Sequence, residues 1–227
     1  MKTQIFSFLI MLLLAGSIAN AQSTSKLSFG VLGGVNFQNL NGKDASGDKL
    51  ENDMTIGYHA GVNVQIPIAP QFYFQPGLLF STKGAKNTYD VLGTSVTSTT
   101  KLSYIEMPLN LVYKALLGKG YFMLGFGPYV GYGIGGKVLT EGGSLSLDQK
   151  IEFTNVVETT DDMTVPYYKA FDVGGNIFAG YEMANGIFAQ FNTQLGMVKI
   201  NPEYKIATDD KSSVKNTGFG LSLGYRF

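Results

Sequence analysis

The chain has 227 residues, enough for one domain of ordinary size or a small pair. Charged residues are 15% of it and aromatic residues 13%, all Phe and Tyr; an ordinary soluble domain carries roughly 25% charge. The 17 basic and 17 acidic residues cancel, which leaves no basic surplus for a nucleic-acid partner, and the absence of cysteine excludes disulfides and thiolate metal sites.

Residues 1–21 have the form of a secretory signal peptide. Lys2 supplies the positive start, 5–15 the apolar stretch, and Ala19-Asn20-Ala21 the small-x-small cleavage pattern, so cleavage leaves Gln22 first. The rival reading, an uncleaved anchor, needs about 20 apolar residues, more than this run provides. Residues 22–227 are then the mature domain.

That domain contains no second long apolar run, and its dominant pattern is alternation with period two, the mark of strands with two different faces. Strands are expected at 26–37, 55–68, 71–83, 99–114, 120–138, 168–183, 186–198 and 216–227. In the second, Ile56, Tyr58, Ala60, Val62, Val64 and Ile66 oppose Gly57, His59, Gly61, Asn63 and Gln65. In the fourth, Ile105, Met107, Leu109, Leu111 and Tyr113 oppose Tyr104, Glu106, Asn110 and Lys114.

The connections alternate in length. Tight turns fall at 69–70, 117–119 and 184–185, and long polar loops at 39–54, 84–98, 139–166 and 199–215. An eight-stranded antiparallel up-and-down transmembrane β-barrel sorts its connections this way, with short turns on the periplasmic side and long loops outside. Alternation alone does not say which face meets solvent. The polar face is rich in Gly, Asn and Gln and poor in charge, which suits a narrow filled lumen better than a wet surface. The apolar face has aromatic ends: Tyr113, Phe122, Tyr181, Tyr225 and Phe227 toward the tight turns, and Phe37, Tyr58, Phe80, Tyr132 and Phe171 toward the long loops. These match the two interfacial girdles of a membrane barrel, whose partner is outer-membrane lipid. Pro76, Pro108 and Pro128 lie within strands, where each removes a ladder donor, so bulges or local irregularity are expected there.

Several short runs carry a family resemblance. Gly33-Gly34-Val35-Asn36-Phe37, Gly57-Tyr58-His59-Ala60-Gly61, the segment from Gln75-Pro76-Gly77 to Ser81-Thr82-Lys83-Gly84, Tyr104-Ile105-Glu106-Met107-Pro108-Leu109, Gly127-Pro128-Tyr129, Gly180-Tyr181-Glu182 and the closing Leu223-Gly224-Tyr225-Arg226-Phe227 resemble the PorT-type outer-membrane β-barrel proteins of the Bacteroidetes. The resemblance implies an eight-strand barrel and accounts for the strand prolines. A secretion role of the founding member is not carried over.

Five ionisable residues fall on the expected interior face: Glu106, Lys114, Asp172, Glu182 and Arg226. Lys114, Glu182 and Arg226 lie near the tight-turn end of their strands, and a paired network closing that end is expected, since a buried charge must be paired. The alternative is an ion or solute path, but eight strands leave an interior that side chains roughly fill. Tyr225 and Phe227 end the last strand and resemble the terminal aromatic signal read by barrel-assembly machinery. His59, the one histidine, has no second histidine and no Gly-x-Ser-x-Gly elbow to work with, so a hydrogen-bonded lumen histidine is expected and no catalytic residue. The match to Gly-x-Gly-x-x-Gly at 131–136 lies inside a strand, not in a βαβ unit, and reads as accidental. Asp44, Asp48, Glu51 and Asp53 form an acidic loop without EF-hand spacing; a solvated loop is expected, with no metal and no cofactor. The segment 139–166 exceeds what a connection needs and is the candidate surface for an extracellular partner.

The leading expectation is a non-enzymatic integral outer-membrane protein of structural, adhesive or secretion-accessory role. A narrow solute channel is the alternative, followed by a soluble lipocalin-like barrel with the faces inverted and, last, an outer-membrane enzyme.

Overall fold

The structure, a computed structural model, describes residues 27–143, 145–206 and 209–227; the expected signal peptide lies outside them. Eight long strands form the body: β1 (Ser28–Lys43), β2 (Thr55–Ala69), β3 (Phe72–Val91), β4 (Thr94–Leu117), β5 (Gly120–Gly142), β6 (Phe171–Glu182), β7 (Ile187–Gly196) and β8 (Ser213–Arg226). Each pairs antiparallel with its chain neighbour, and the ring closes where β8 pairs with β1, Gly30 opposite Arg226. Closure leaves the ring no edge, as a backbone crossing lipid requires.

The alternation read from the sequence is the alternation of the wall. Phe29, Val31, Val35, Ile56, Tyr58, Val62, Leu221 and Leu223 face outward and exposed, while Asn36, His59, Asn63, Gln65, Gln75, Asn110 and Asn176 are buried in the lumen. The outward aromatic residues pair across strands. Phe37 stacks on Phe219 at 5.1 Å, Tyr58 meets Phe80 at 5.8 Å and Tyr132 meets Phe171 at 5.2 Å on the loop side. On the turn side Phe72 meets Tyr113 at 5.1 Å across strands, and Tyr225 meets Phe227 at 4.8 Å along the C-terminal end of β8. Such pairs contribute about 0.5–1.5 kcal/mol each beyond their burial.

One expectation is corrected. The segment 84–98 is not a loop. β3 and β4 run on through it to a two-residue turn at Leu92 and Gly93, both with positive φ (50° and 79°), the geometry that matches strand twist. Its Thr-rich sequence favours strands but, standing in water on both faces, loses the apolar alternation. The long outer connections are therefore 44–54, 143–170 and 197–212, with β5 continuing to Gly142 and the strand Leu145–Lys150 pairing back on it.

At Pro76, Pro108 and Pro128 the expected irregularity takes the form of open rungs and not of bulges. The β3–β4 register is the same on both sides of the gap, Pro76 opposite Leu109 and Leu79 opposite Glu106. Instead, each proline is accompanied by two missing rungs in one ladder: Pro76 in β2–β3, Pro108 in β3–β4 and Pro128 in β4–β5. A proline lacks a single donor, and a donor serves one neighbour, so one ladder opens while the other keeps the strand in register. Near the first gap a side-chain amide bond, Gln65 to Gln75 at 2.7 Å, joins the strands. The register shifts lie elsewhere, between Pro67 and Ala69 and between Ser103 and Tyr104.

Candidate functional site

The lumen is filled in layers, and β4 contributes to each. Its inward residues from the turns outward are Lys114, Val112, Asn110, Glu106 and Leu102, all buried.

At the turn end, Lys114 donates to Glu182 at 2.7 Å, and Arg226 donates through Nε to the other carboxylate oxygen at 2.8 Å. Arg226 also donates to Asn63 at 3.0 Å, and its guanidinium lies 5.2 Å from the Phe188 ring centroid. One carboxylate thus serves two cations, with amides taking the remaining donors. Above it, Leu32, Val112, Met123, Phe178 and Phe188 form a buried apolar layer.

The middle is amide-rich. A cavity of about 40 Å³ is lined by Asn36, His59, Asn63, Asn110, Asn176 and Asn192, among others. That volume holds a few waters and no larger solute. His59 Nδ1 lies 2.7 Å from Asn36 Oδ1, and Nε2 lies 2.7 Å from the Ser222 hydroxyl. With Asn36 Oδ1 as acceptor, the ring proton sits on Nδ1 and Nε2 accepts from Ser222. This is the connectivity of a nucleophile, a base and an orienting group. Here, however, Asn192 also donates to Ser222 Oγ at 3.2 Å, and the cluster faces only the small enclosed cavity.

Farther out, Lys83 lies 2.6 Å from Glu106 and 2.9 Å from Asp172, all three side chains at most 1% exposed. Tyr129 and Asn216 donate to the same Asp172 oxygen at 3.2 and 2.9 Å, and Gln194 donates to Glu106 at 3.1 Å. The Lys83 ammonium sits 4.3 Å from the Tyr129 ring centroid. An apolar cluster of Leu40, Leu102, Tyr104, Ile151 and Ile200 lies above, to which the third and fourth outer connections contribute Ile151 and Ile200. Those connections are tied together: Lys169 N donates to Ile200 O at 2.6 Å, and Val156–Val157 pairs with Glu203–Tyr204.

The five interior residues expected from sequence are thus divided between two clusters. Lys114, Glu182 and Arg226 lie together at the turn end, and Glu106 and Asp172 lie together in the outer half. Lys83, which joins the outer pair, was missed as a site residue. Its signal was present: it follows Gln75, Gly77, Leu79 and Ser81 on the inward parity of β3. Within 131–136, Gly133 and Gly136 are packing sites; a Cβ on Gly133 would come within 2.5 Å of the Phe153 ring, which descends from the third connection, while Gly135 faces open space. In the first connection, Asp44 accepts from the backbone N–H groups of Ser46, Gly47 and Asp48, each at 2.9 Å, and so shapes the turn.

The model of the outer membrane protein beta-barrel domain matches residues 20–202. The chain belongs to this family. It is an integral outer-membrane barrel, and the charged, amide-rich lumen seen among the described residues overturns the inverted, lipocalin-like reading. No curated protein matches the chain. Among solved structures it is similar to Ail, the attachment invasion locus protein of Yersinia pestis, in complex with the heparin analogue sucrose octasulfate. That similarity has 12% identity over 89% of this chain and 100% of the other, with a TM-score of 0.42. A second structure of Ail has 10% identity over the same shares and a TM-score of 0.37. An outer membrane channel from Pseudomonas putida F1 has 11% identity over 92% and 98%, with a TM-score of 0.30. These likenesses concern the fold alone.

Proposed function

We propose that this protein is a non-enzymatic, non-conducting barrel of structural, adhesive or secretion-accessory role, whose wall carries a folded extracellular platform. The observation that supports this reading is the stacking of two buried ion-pair clusters in one lumen, with about 40 Å³ of cavity between them. Eight strands give an interior that side chains fill. Planar bilayers containing the purified protein are expected to show no discrete conductance steps; a resolved, ohmic single-channel conductance overturns the reading. That outcome would favour the narrow channel, which has the polar lining of the mid-lumen cavity as its support.

In the same proposal, residues 1–21 are removed on export, the sequence motifs place the chain among PorT-type proteins of the Bacteroidetes, and barrel-assembly machinery reads Tyr225 and Phe227. The extracellular partner surface is 139–166, where Leu145 and Leu147 stand exposed. Deletion of 142–160 is expected to abolish any surface-binding phenotype; full retention removes this segment from consideration.

A further inference from the structure

Beyond the apolar band the β3–β5 wall continues as a sheet extended by Leu145–Lys150, and its outward face carries a row of three opposed lysines, two of them without an ion-pair partner among the described residues. Lys101 on β4 is opposite Lys137 on β5, which is opposite Lys150 on the added strand. Directly opposed residues point to the same side, and adjacent strands lie about 4.8 Å apart. On β4, Lys101 has the parity of the lipid-facing Ile105 and Met107, so the row faces outward; all three lysines are exposed. Like charges directly opposed across strands are destabilising. Lys137 meets Asp148 at 2.5 Å, but neither Lys101 nor Lys150 forms an ion pair among the described residues.

The height of the row fits a particular counter-charge. Phe80, Ile105, Tyr132 and Phe171 are register partners around the wall, and the three aromatic residues among them belong to the outer girdle. The lysine row is four residues farther along β4, about 13 Å along the strand and about 10 Å along the membrane normal after strand tilt. That is the level of headgroups, not of acyl chains. The next residues outward, Lys86, Thr99, Thr97 and Ser95, line an open trough of about 360 Å³ with Lys101 and Glu141, offering hydroxyls beside the cations.

We propose that this ledge binds the phosphorylated sugar headgroup of the outer-leaflet glycolipid. The lysines hold the phosphate and the Thr and Ser hydroxyls meet the sugar. The inference rests on the outer-membrane location and is independent of whether the lumen conducts.

The test reconstitutes the full barrel in neutral phosphocholine bilayers doped with bis-phosphorylated lipid A, with its dephosphorylated form, or with bis-phosphorylated lipid A in the presence of excess inorganic phosphate. Bound lipid is counted by native mass spectrometry after release. Wild type is expected to retain the phosphorylated lipid over the dephosphorylated one, and free phosphate is expected not to displace it. K101Q/K150Q is expected to weaken retention about fivefold for each lysine removed, while K119Q, in the turn on the opposite side, leaves it unchanged. Equal retention of the two lipids, displacement by inorganic phosphate alone, or unchanged retention by K101Q/K150Q overturns the proposal. Folding is checked by mobility of the unheated barrel in detergent gels. Should the double variant not fold, K150Q alone, outside the closed ring, gives the same comparison.

Discussion

Lys83 and Asp172 meet across the lumen, Nζ to Oδ2 at 2.9 Å, from β3 and β6, 89 positions apart in the chain. Together with Glu106 they form a buried triad with two carboxylates on one ammonium. Removing the cation leaves both carboxylates without their charge partner, an effect of about 3–5 kcal/mol for a broken buried pair. Lys83→Met is therefore expected to lower stability by that amount in urea unfolding from bilayers. The triple variant Lys83→Met, Glu106→Gln, Asp172→Asn should recover most of it. A Lys83→Met barrel as stable as wild type removes the triad as a structural element.

Arg226 holds one oxygen of Glu182 while Lys114 holds the other. Arg226→Ala removes the bond to Glu182 and the weaker ones to Asn63 and Gln75 but leaves Lys114 on the carboxylate, so a smaller loss is expected, about 1.5–3 kcal/mol, read as a lower unfolding temperature. Unchanged stability together with raised conductance would instead identify this end as a gate.

Phe153 seats its ring where Gly133 has no side chain. Gly133→Leu would occupy that seat, and overpacking of this kind costs about 1–3 kcal/mol. The expected outcome is faster limited proteolysis within 145–170, with the closed ring of eight strands intact. Cleavage at the wild-type rate would show that the third connection is held without this contact.

Phe227 is 73% exposed beyond the last rung of β8 and touches Tyr225. As an assembly signal it acts during insertion, not in the finished fold. Phe227→Ala is expected to lower the amount of protein inserted in the outer membrane severalfold, while the purified, refolded barrel changes by no more than about 0.5 kcal/mol. Normal insertion would leave Phe227 as a lipid-facing strand end only.

Barrel architecture was legible in the chain because a strand crossing lipid must separate its two faces completely. Tyr58 against His59, or Ile105 against Glu106, states that separation residue by residue. The same logic failed at 84–98, where a hairpin in water has no reason to alternate.

The pattern also placed Glu106, Lys114, Asp172, Glu182 and Arg226 inside, since parity along a strand is local information. By itself, then, the sequence determined the number of long strands, the three tight turns and the parity that separates inward from outward residues. Tertiary structure alone decided which inward charges meet. Height and register around a closed ring depend on strand stagger, which brings Lys83 to Glu106 and Asp172, and Lys114 and Arg226 to Glu182. It likewise decided that Ile151, Phe153 and Ile200 fold down over the mouth, because packing between distant connections leaves no periodic trace in the chain.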